Sequence, residues 1–341
     1  MGITAGRYVA ALAVLTITVL NGAPANAATK VPLNDLGTGT YLGFQGGLYP
    51  NGSNSMPAAH RTAGINKALR VRPVDTSGVP NPNGKYVMLS IGMSNTTQEF
   101  CAASGAQCAP YSFMGQAAAD PQVNHTKLVI VDGARGGQTA NTWTSPAADN
   151  YNRIRDTKLA PLGLTERQVQ VAWVKVANAG PTVSLPAANA DAYLLVTQQG
   201  SIVRALKTRY PNLQLVFFSS RIFAGYATTT LNPEPFAYES GFGVKWVIQA
   251  QITQASGGGI DPRAGNLNYN GVAAWMAWGP YLWADGLNPR SDGLTWAPTD
   301  FATDGTHPSV SGRQKVAAML LSFFKNSPHT ACWFVVGGVC G

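Results

Sequence analysis

Four short apolar runs, rich in β-branched and aromatic residues, recur along this 341-residue chain and restrict its fold more than any other feature. The runs occupy residues 86–91, 127–131, 169–176 and 213–218. Each has the length of a strand and little polar character, which is typical of strands buried on both faces. Helix-like stretches lie between or after them, at residues 95–103, 187–209, 244–255 and 309–324. Strands that alternate with helices predict an α/β protein whose mainly parallel sheet forms the middle layer of a three-layer α/β/α sandwich.

The first 27 residues have the features of a signal peptide. Arg7 supplies a positive charge, an apolar stretch covers residues 8–20, and residues 25–27 read Ala-Asn-Ala, an A-x-A cleavage site. An uncleaved anchor is the alternative, but the apolar stretch is shorter than the about 20 residues of a spanning helix. We expect cleavage near Ala27 and a secreted protein, extracellular or periplasmic, without a membrane span.

Residues 28–84 differ in composition from the rest of the chain. They are rich in Gly, Pro and Asn and contain turn signals such as Pro50-Asn51-Gly52. Such a composition favours loops over regular elements. We predict an irregular N-terminal segment, with a short strand near residues 68–74, that packs on a main domain formed by residues 85–341.

The four cysteines fall into two close pairs. Cys101 and Cys108 are seven residues apart, and Cys332 and Cys340 are eight apart. A zinc site is the alternative, but the spacing does not resemble a finger or ribbon. Local pairing is the simplest connectivity in an oxidising compartment, so we predict the disulfides Cys101–Cys108 and Cys332–Cys340.

The charge balance limits the classes of partner. The formal net charge is +8, or +7 once Arg7 leaves with the signal peptide (8 − 1). Such a balance can indicate nucleic acid or acidic polymers, but the Lys and Arg residues are dispersed and form no basic run. Only 12% of the residues are charged, so the surface should be rich in neutral polar groups. We expect no nucleic-acid partner, and this composition suits a protein that handles sugars or other neutral polymers.

Several polar residues follow the predicted strands directly. Ser94 comes after the first run, residues 133–137 after the second and Asn178 after the third. Sites in open parallel sheets form at the carboxyl ends of the strands. The loop that holds Asp304 and His307 precedes the last predicted helix and can return to the same edge. We therefore expect these residues to lie close together.

Serine becomes a nucleophile only when a base takes its proton. The chain has four histidines, and only His307 has a carboxylate, Asp304, at a spacing that allows a direct hydrogen bond. Taken separately, Ser94 could be a helix cap, and Asp-Gly-Thr-His could be an ordinary turn. Together, Ser94, His307 and Asp304 supply the parts of a serine–histidine–aspartate triad.

The polar segments also occur in the order of the conserved blocks of SGNH (GDSL-type) hydrolases, and the similarity extends from about residue 86 to residue 325. The matching segments are Gly92-Met93-Ser94-Asn95, the glycine pair within Asp132-Gly133-Ala134-Arg135-Gly136-Gly137-Gln138-Thr139, Asn178, and Asp304-x-x-His307. The first block looks most like the sialate O-acetylesterase-like branch. The resemblance implies a flavodoxin-like sheet and ester hydrolysis through an acyl-serine. The sequence contains no Walker A loop, dinucleotide fingerprint or His-Glu-x-x-His motif, so we expect no cofactor and no metal.

The resemblance also implies a role for each matching residue. Ser94 would be the nucleophile, His307 the base and Asp304 the residue that orients the base. The oxyanion hole would combine the backbone N–H of Ser94, that of Gly137 and the side chain of Asn178, with Gly136 as the rival glycine.

The third block departs from the family pattern. The family usually has Gly-x-Asn-Asp, whereas residues 176–179 of this chain read Val-Ala-Asn-Ala. Asn178 could therefore bond to backbone instead, and Lys175 could supply a positive charge in its place.

Further residues are candidates for substrate contact. Asn95 follows the predicted nucleophile, and Arg221 follows the fourth run, where a structural salt bridge is its alternative role. Four aromatic residues could stack on sugar rings or form an aromatic core strand and loop: Trp275, Trp278, Tyr281 and Trp283.

The favoured function is a secreted serine esterase that removes O-acetyl groups from carbohydrate, with a small-molecule or glycan ester as substrate. A glycan-binding protein without catalysis, and a lipid esterase or thioesterase, are the alternatives.

Overall fold

The computed structural model describes residues 1–3, 30–103 and 107–341. Apart from the first three residues, the predicted signal peptide and its cleavage site lie outside these residues. Within them, no helix combines the length and hydropathy that a bilayer-spanning segment needs.

The segment before the main sheet contains more regular structure than its composition predicts. Helix α1 (Leu33–Leu36) precedes a small antiparallel hairpin of β1 (Thr40–Tyr41) and β2 (Phe44–Gln45), and helix α2 covers Ala58–Ala68. Helix α2 is not among the elements predicted from the sequence. In place of the short strand predicted near residues 68–74, Val74 makes isolated bridges with Pro80 and Lys85.

A five-stranded parallel sheet forms the centre of the molecule. Its strands are β3 (Tyr86–Gly92), β4 (Leu128–Asp132), β5 (Val169–Lys175), β6 (Leu215–Phe218) and β7 (Trp275–Trp278). They lie in the order β4-β3-β5-β6-β7, and every neighbouring pair is parallel. This is the flavodoxin-like strand order. The four predicted strands and the predicted fold class are therefore confirmed, and β7 comes from the tryptophan-rich run.

Helices cover both faces of the sheet. They are α3 (Ser94–Phe100), α4 (Phe113–Ala119), α5 (Asp149–Arg153), α6 (Asp191–Arg209), α7 (Phe236–Ala255), α8 (Val310–Asn326) and α9 (Ala331–Phe334). Short 3₁₀ turns lie at Pro50–Gly52, Ala140–Trp143, Ala160–Leu162, Glu166–Gln168 and Pro298–Asp300, with a π-helical turn at Ile154–Leu159. Helix α7 begins before its predicted start because Gly241 and Gly243, which weaken a helical pattern, pack closely against Leu33 and Leu195.

Alternate residues of β3 enter two separate cores. Val87, Leu89 and Ile91 pack with the buried side chains of α6 and α7. Tyr86 and Met88 face the opposite way, into a core built with α3, α4, α8 and α9. Because side chains alternate across a strand, this division gives the three layers of the sandwich. Both predicted disulfides, Cys101–Cys108 and Cys332–Cys340, are formed.

Candidate active site

Ser94 is the first residue of α3, directly after the carboxyl end of β3. The chain turns sharply at Gly92, whose φ is +156°. A Cβ atom at this glycine would lie 2.2 Å from the carbonyl oxygen of Lys175 and 2.3 Å from Oγ1 of Thr96. The Thr96 hydroxyl accepts from the Met93 N–H at 3.2 Å and donates to the Lys175 carbonyl at 2.6 Å. The turn that presents Ser94 is therefore tied to the neighbouring strand.

The three residues of the predicted triad form one chain of hydrogen bonds. Oγ of Ser94 lies 2.8 Å from Nε2 of His307, and Nδ1 of His307 lies 2.5 Å from Oδ2 of Asp304. The side chains of His307 and Asp304 are 22% and 31% exposed. If Nδ1 carries its proton towards Asp304, Nε2 is left to accept the proton of Ser94. The arrangement has the geometry of a nucleophile, a base and an orienting carboxylate, open to solvent at the edge of the sheet.

The loop around His307 also favours the ionised form of Asp304. The backbone N–H groups of Thr306 and His307 both donate to Oδ1 of Asp304 at 3.0 Å. Burial raises the pKa of this carboxyl, but these bonds and the His307 ring outweigh burial and leave its pKa below the ordinary value. The loop is compact because Gly305 has a φ of +61°, and a Cβ there would lie 1.9 Å from the carbonyl oxygen of Tyr226.

Asn95 connects the two halves of the triad. Its side chain is 1% exposed, and Nδ2 donates to the carbonyl oxygen of Thr306 at 3.0 Å. The position of Asn95 therefore gives no support to the expectation that it contacts substrate. It joins the start of α3 to the residue before His307.

The other three histidines bond to backbone carbonyl oxygens. Nε2 of His60 lies 2.9 Å from the carbonyl oxygen of Met276, and that of His329 lies 3.1 Å from the carbonyl oxygen of Arg61. Nε2 of His125 pairs with the backbone of the loop before it. Among the described residues, His307 is the only histidine whose ring is hydrogen-bonded to both a serine and a carboxylate.

The glycine-rich loop after β4 lies beside Ser94. A Cβ at Gly136 would be 3.9 Å from Cβ of Ser94, whereas one at Gly137, with a φ of +77°, would have no heavy atom within 4 Å. In residues 30–103 and 107–341, neither glycine N–H donates to a protein acceptor. The Arg135 N–H donates to the Gly92 carbonyl at 3.1 Å and ties this loop to the turn before Ser94.

Asp132 is the last residue of β4 and directly precedes the same loop. Its two carboxylate oxygens accept from the hydroxyls of Ser90 and Thr97, each at 2.5 Å. Burial raises the pKa of Asp132, although these hydrogen bonds oppose the shift. Asp132 was not predicted as a site residue. Its place at the end of a strand, opposite a serine at the same register, was the available signal.

The side-chain amide of Asn178 donates one hydrogen bond to the backbone. Its Nδ2 donates to the carbonyl oxygen of Asp191 at 2.6 Å, which is the alternative that the sequence left open. Its Oδ1 is buried and has no donor in the described parts of the chain. One amide hydrogen of Asn178 is thus engaged, and the structure shows no hydrogen bond between this side chain and Ser94.

Lys175 and Arg221, the two cationic residues that were predicted to act at the site, are buried. Nζ of Lys175 lies 2.5 Å from both carboxylate oxygens of Glu99, and both side chains are 0% exposed. Arg221 is 1% exposed, and its Nε and Nη2 have no acceptor among the described residues. Burial lowers the pKa of Arg221, while the charges of Glu99, Glu234 and Asp304 oppose the shift. Neither cation reaches the surface, so the prediction that Arg221 contacts substrate has no support from its position.

The aromatic residues proposed for sugar stacking are core residues. Trp275 and Trp283 are 0% exposed, Trp278 is 4% and Tyr281 is 5% exposed. Trp275 and Trp278 belong to β7, which is the core strand that the alternative interpretation described. Their ring faces are unavailable to a sugar. Of the two observations that favoured a glycan-binding protein without catalysis, the aromatic cluster is therefore removed, while the altered third block remains.

A polar pocket of about 450 Å³ opens next to the glycine-rich loop. Its lining residues are Arg135, Gln138, Thr142, Asp149, Asn150 and Arg153. No group of three or more His, Cys, Asp or Glu residues in the described part of the chain is arranged to hold a metal. Arg135 and Gln138 belong to the second sequence block, and none of the six lining residues was predicted as a site residue.

No family model and no curated protein matches this chain in sequence. Solved structures similar to it include a GDSL-like lipase from Bacteroides thetaiotaomicron, with 10% identity and a TM-score of 0.36, covering 77% of this chain and 95% of that one. The psychrotrophic esterase EstA from Pseudoalteromonas sp. has 9% identity and a TM-score of 0.37, covering 71% and 97%. A carbohydrate esterase family 2 enzyme with a carbohydrate-binding domain, from Corynascus thermopiles, has 12% identity and a TM-score of 0.36, covering 72% and 68%.

The sequence blocks of this chain resemble those of GDSL-type hydrolases, and one of these solved structures is named a GDSL-like lipase.

Proposed function

We propose that this protein is an SGNH-type serine esterase that hydrolyses esters through an acyl-serine intermediate. The observation that supports it is the hydrogen-bonded chain from Ser94 through His307 to Asp304, with contacts of 2.8 and 2.5 Å. Its members come from two segments that are about two hundred residues apart in sequence. A helix cap and an ordinary turn would have no reason to meet in this order.

In the first step, Oγ of Ser94 attacks the carbonyl carbon of the ester while Nε2 of His307 takes the hydroxyl proton. Asp304 holds the ring with Nδ1 protonated and stabilises the imidazolium that forms. The resulting tetrahedral intermediate carries a negative charge on the former carbonyl oxygen. It collapses when His307 returns the proton to the leaving alkoxide, which departs as an alcohol.

The oxyanion requires hydrogen-bond donors that are already in place, each of which contributes about 2.7–4 kcal/mol to barrier lowering. The N–H of Ser94 lies in the first turn of α3, where no intrahelical acceptor exists. The N–H groups of Gly136 and Gly137 are also without a protein acceptor in the described residues. We assign Gly137 as the second donor, with Gly136 as its rival. Asn178 contributes a third donor only through its remaining amide hydrogen.

In the second step, His307 takes a proton from water, whose oxygen attacks the acyl-serine carbon. The acid leaves and Ser94 regains its proton. An O-acetyl group on carbohydrate is the substrate we favour. The first block resembles the acetylesterase-like branch. All six residues that line the pocket beside the glycine-rich loop are polar, which suits a sugar better than a lipid chain.

The test is the variant Ser94→Ala with 4-nitrophenyl acetate as substrate. We expect kcat/KM to fall by more than about 10⁴-fold with an unchanged melting temperature, because only the nucleophile is lost. A fluorophosphonate probe should label wild-type protein at Ser94 and leave the variant unlabelled. The control is Ser77→Ala, which removes an exposed hydroxyl on the loop before β3. Turnover by Ser94→Ala at the wild-type rate would disprove the assignment.

We further propose that the protein is secreted after cleavage near Ala27 and that residues 28–84 pack on the domain formed by residues 85–341. Two disulfides are compatible with an oxidising compartment. N-terminal sequencing of protein recovered from the culture medium or periplasm tests the cleavage, and recovery of the intact N-terminus would contradict it.

A further inference from the structure

The polar pocket beside the glycine-rich loop carries an excess of positive charge. Of its six lining residues, Arg135 and Arg153 are cationic and Asp149 is anionic, while Gln138, Thr142 and Asn150 are uncharged. The lining therefore has a net charge of +1 (2 − 1). A single monoanion would neutralise this excess.

Arg153 has an unused hydrogen-bond donor in this pocket. Its Nη2 donates to the carbonyl oxygen of Gly133 at 2.5 Å, which holds the start of the loop. Its Nε is buried and has no acceptor in residues 30–103 or 107–341. Burial lowers the pKa of Arg153, and the like charge of Arg135 adds to the shift, whereas Asp132 and Tyr210 oppose it. A buried donor without an acceptor is unfavourable, and a bound anion would remove both problems.

The uncharged residues of the pocket are held in place by hydrogen bonds to one another. Nδ2 of Asn150 donates to Oε1 of Gln138 at 2.9 Å and to Oγ1 of Thr142 at 3.1 Å. Because Gln138 accepts through its oxygen, its amide N–H₂ group remains available as a donor. The pocket thus offers guanidinium and amide donors with little rearrangement needed on binding.

The pocket is next to the reacting centre. Arg135 immediately precedes Gly136, whose Cβ position is 3.9 Å from Cβ of Ser94. A group bound by Arg135 would therefore lie beside the loop that borders Ser94. The net charge of +7 that remains after Arg7 leaves with the signal peptide (8 − 1) would also attract an anionic polymer.

We propose that this pocket binds a carboxylate on the sugar part of the substrate, so that the esterase acts preferentially on acetylated acidic polysaccharides that contain uronate. This inference rests on the proposed esterase function. A guanidinium group matches the two oxygens of a carboxylate with two parallel hydrogen bonds. A uronate bears one negative charge, which equals the excess on the pocket lining.

The experiment measures acetate release from O-acetylated polygalacturonate and from the same polymer after methyl esterification of its carboxyl groups. The two polymers differ in charge but share the acetyl ester. We expect wild-type protein to prefer the charged polymer by about tenfold or more in kcat/KM, the factor expected from one hydrogen bond between charged groups. The preference should shrink as the salt concentration rises.

Arg135→Gln should reduce this preference to near one, and Arg153→Lys should retain part of it because a cation remains. The matched control is Arg70→Gln, which removes the same charge from an exposed side chain after α2. Equal loss of preference in Arg70→Gln would assign the effect to net charge and overturn the role of the pocket.

Equal rates on both polymers, or an unchanged ratio in Arg135→Gln, would also overturn the proposal. A preference for an acetylated polymer that carries sulfate over one that carries carboxylate would overturn the choice of carboxylate. In each case serine-dependent hydrolysis of 4-nitrophenyl acetate shows separately whether the proposed esterase function holds.

Discussion

Two clusters of polar and charged side chains lie at the same edge of the sheet, and their surroundings differ completely. The triad cluster, Ser94, His307 and Asp304, is partly exposed, with 22% and 31% of the last two side chains open to solvent. The buried cluster, Glu99, Lys175 and Arg221, is at most 1% exposed. Both contain a carboxylate and a basic group within hydrogen-bond distance of each other.

The difference shows that charge near a site does not by itself indicate contact with substrate. In the triad cluster, a hydroxyl and an imidazole nitrogen lie 2.8 Å apart at a partly exposed surface. In the buried cluster, burial raises the pKa of Glu99 and lowers that of Lys175, while each charge favours the ionised form of the other. The first arrangement suits proton transfer, whereas in the second an ion pair joins β5 to α3.

The largest expected effect is a loss of activity caused by a substitution in the triad cluster. Asp304→Asn should lower kcat by about 10³–10⁴-fold with little change in melting temperature, because the ring loses its orienting carboxylate while the loop is kept. Steady-state kinetics with 4-nitrophenyl acetate measure it. Asp156→Asn, in the exposed pair with Arg155, is the control and should leave kcat unchanged. Wild-type activity in Asp304→Asn would place this carboxylate outside the mechanism.

The second effect is on folding. Lys175→Met leaves the Glu99 carboxyl buried without its cation, and we expect the free energy of unfolding to fall by about 3–5 kcal/mol. Denaturant titration measures this change. The double variant with Glu99→Leu should be less destabilised than Lys175→Met alone, because no uncompensated carboxylate remains. A single variant as stable as wild type would show that the pair contributes nothing to stability.

The third effect concerns the loop that brings the triad together. Gly305→Ala should destabilise the protein by about 3 kcal/mol and reduce kcat as well, because a Cβ at φ +61° would lie 1.9 Å from the Tyr226 carbonyl. The matched control is Gly180→Ala, where φ is +53° and no heavy atom lies within 4 Å. If both variants lose stability equally, the backbone conformation alone accounts for the cost and the contact with Tyr226 is unimportant.

The smallest effect tests a buried carboxylate that has no cation hydrogen-bonded to it. Burial raises the pKa of Glu239 to about 7 from 4.5, although the Leu185 N–H and the Tyr41 hydroxyl oppose the shift. Between pH 4.5 and 7 the native state therefore keeps a proton that the unfolded state has lost, and the free energy of unfolding falls as pH rises through this window.

Glu239→Gln should remove this contribution and be more stable than wild type above pH 7 by at most about 2 kcal/mol. The measurement is the difference in unfolding free energy between the two proteins from pH 4 to 8. A difference that stays constant with pH would contradict the raised pKa.

The parallel strands could be predicted because their apolar runs are local and short. The strand β7 was harder to predict, because Trp275 and Trp278 in a Gly-rich region fit a surface platform as well as a core strand. Their burial depends on α2 and α7, and on His60 and His329 stacking on Trp275 from distant parts of the chain. Helix α7 was predicted too short for a related reason. The glycines near its start allow close packing against Leu33 and Leu195. These contacts join residues that are far apart in the chain, so no local sequence pattern contains them.

The candidate site could be predicted where residue type alone limits the chemistry. With four histidines and only one beside a suitable carboxylate, His307 and Asp304 were identifiable, and strand order brought them to Ser94. The roles of Asn178 and Arg221 could not be predicted in this way, because all that the sequence shows is a polar residue after a strand. Whether such a side chain faces solvent, bonds to backbone or is sealed inside depends on the packing around it.

The sequence by itself determined the parallel α/β sheet and the two disulfides, since both depend on residue type and short-range spacing. It also identified Ser94, His307 and Asp304 as the candidate triad. Only the tertiary structure decided which charges are exposed. It buried Lys175 and Arg221, engaged the Asn178 amide with Asp191, and left Arg135 and Arg153 in an open pocket beside Ser94. The physical reason is that burial and hydrogen-bond partners are set by contacts between residues far apart in the chain.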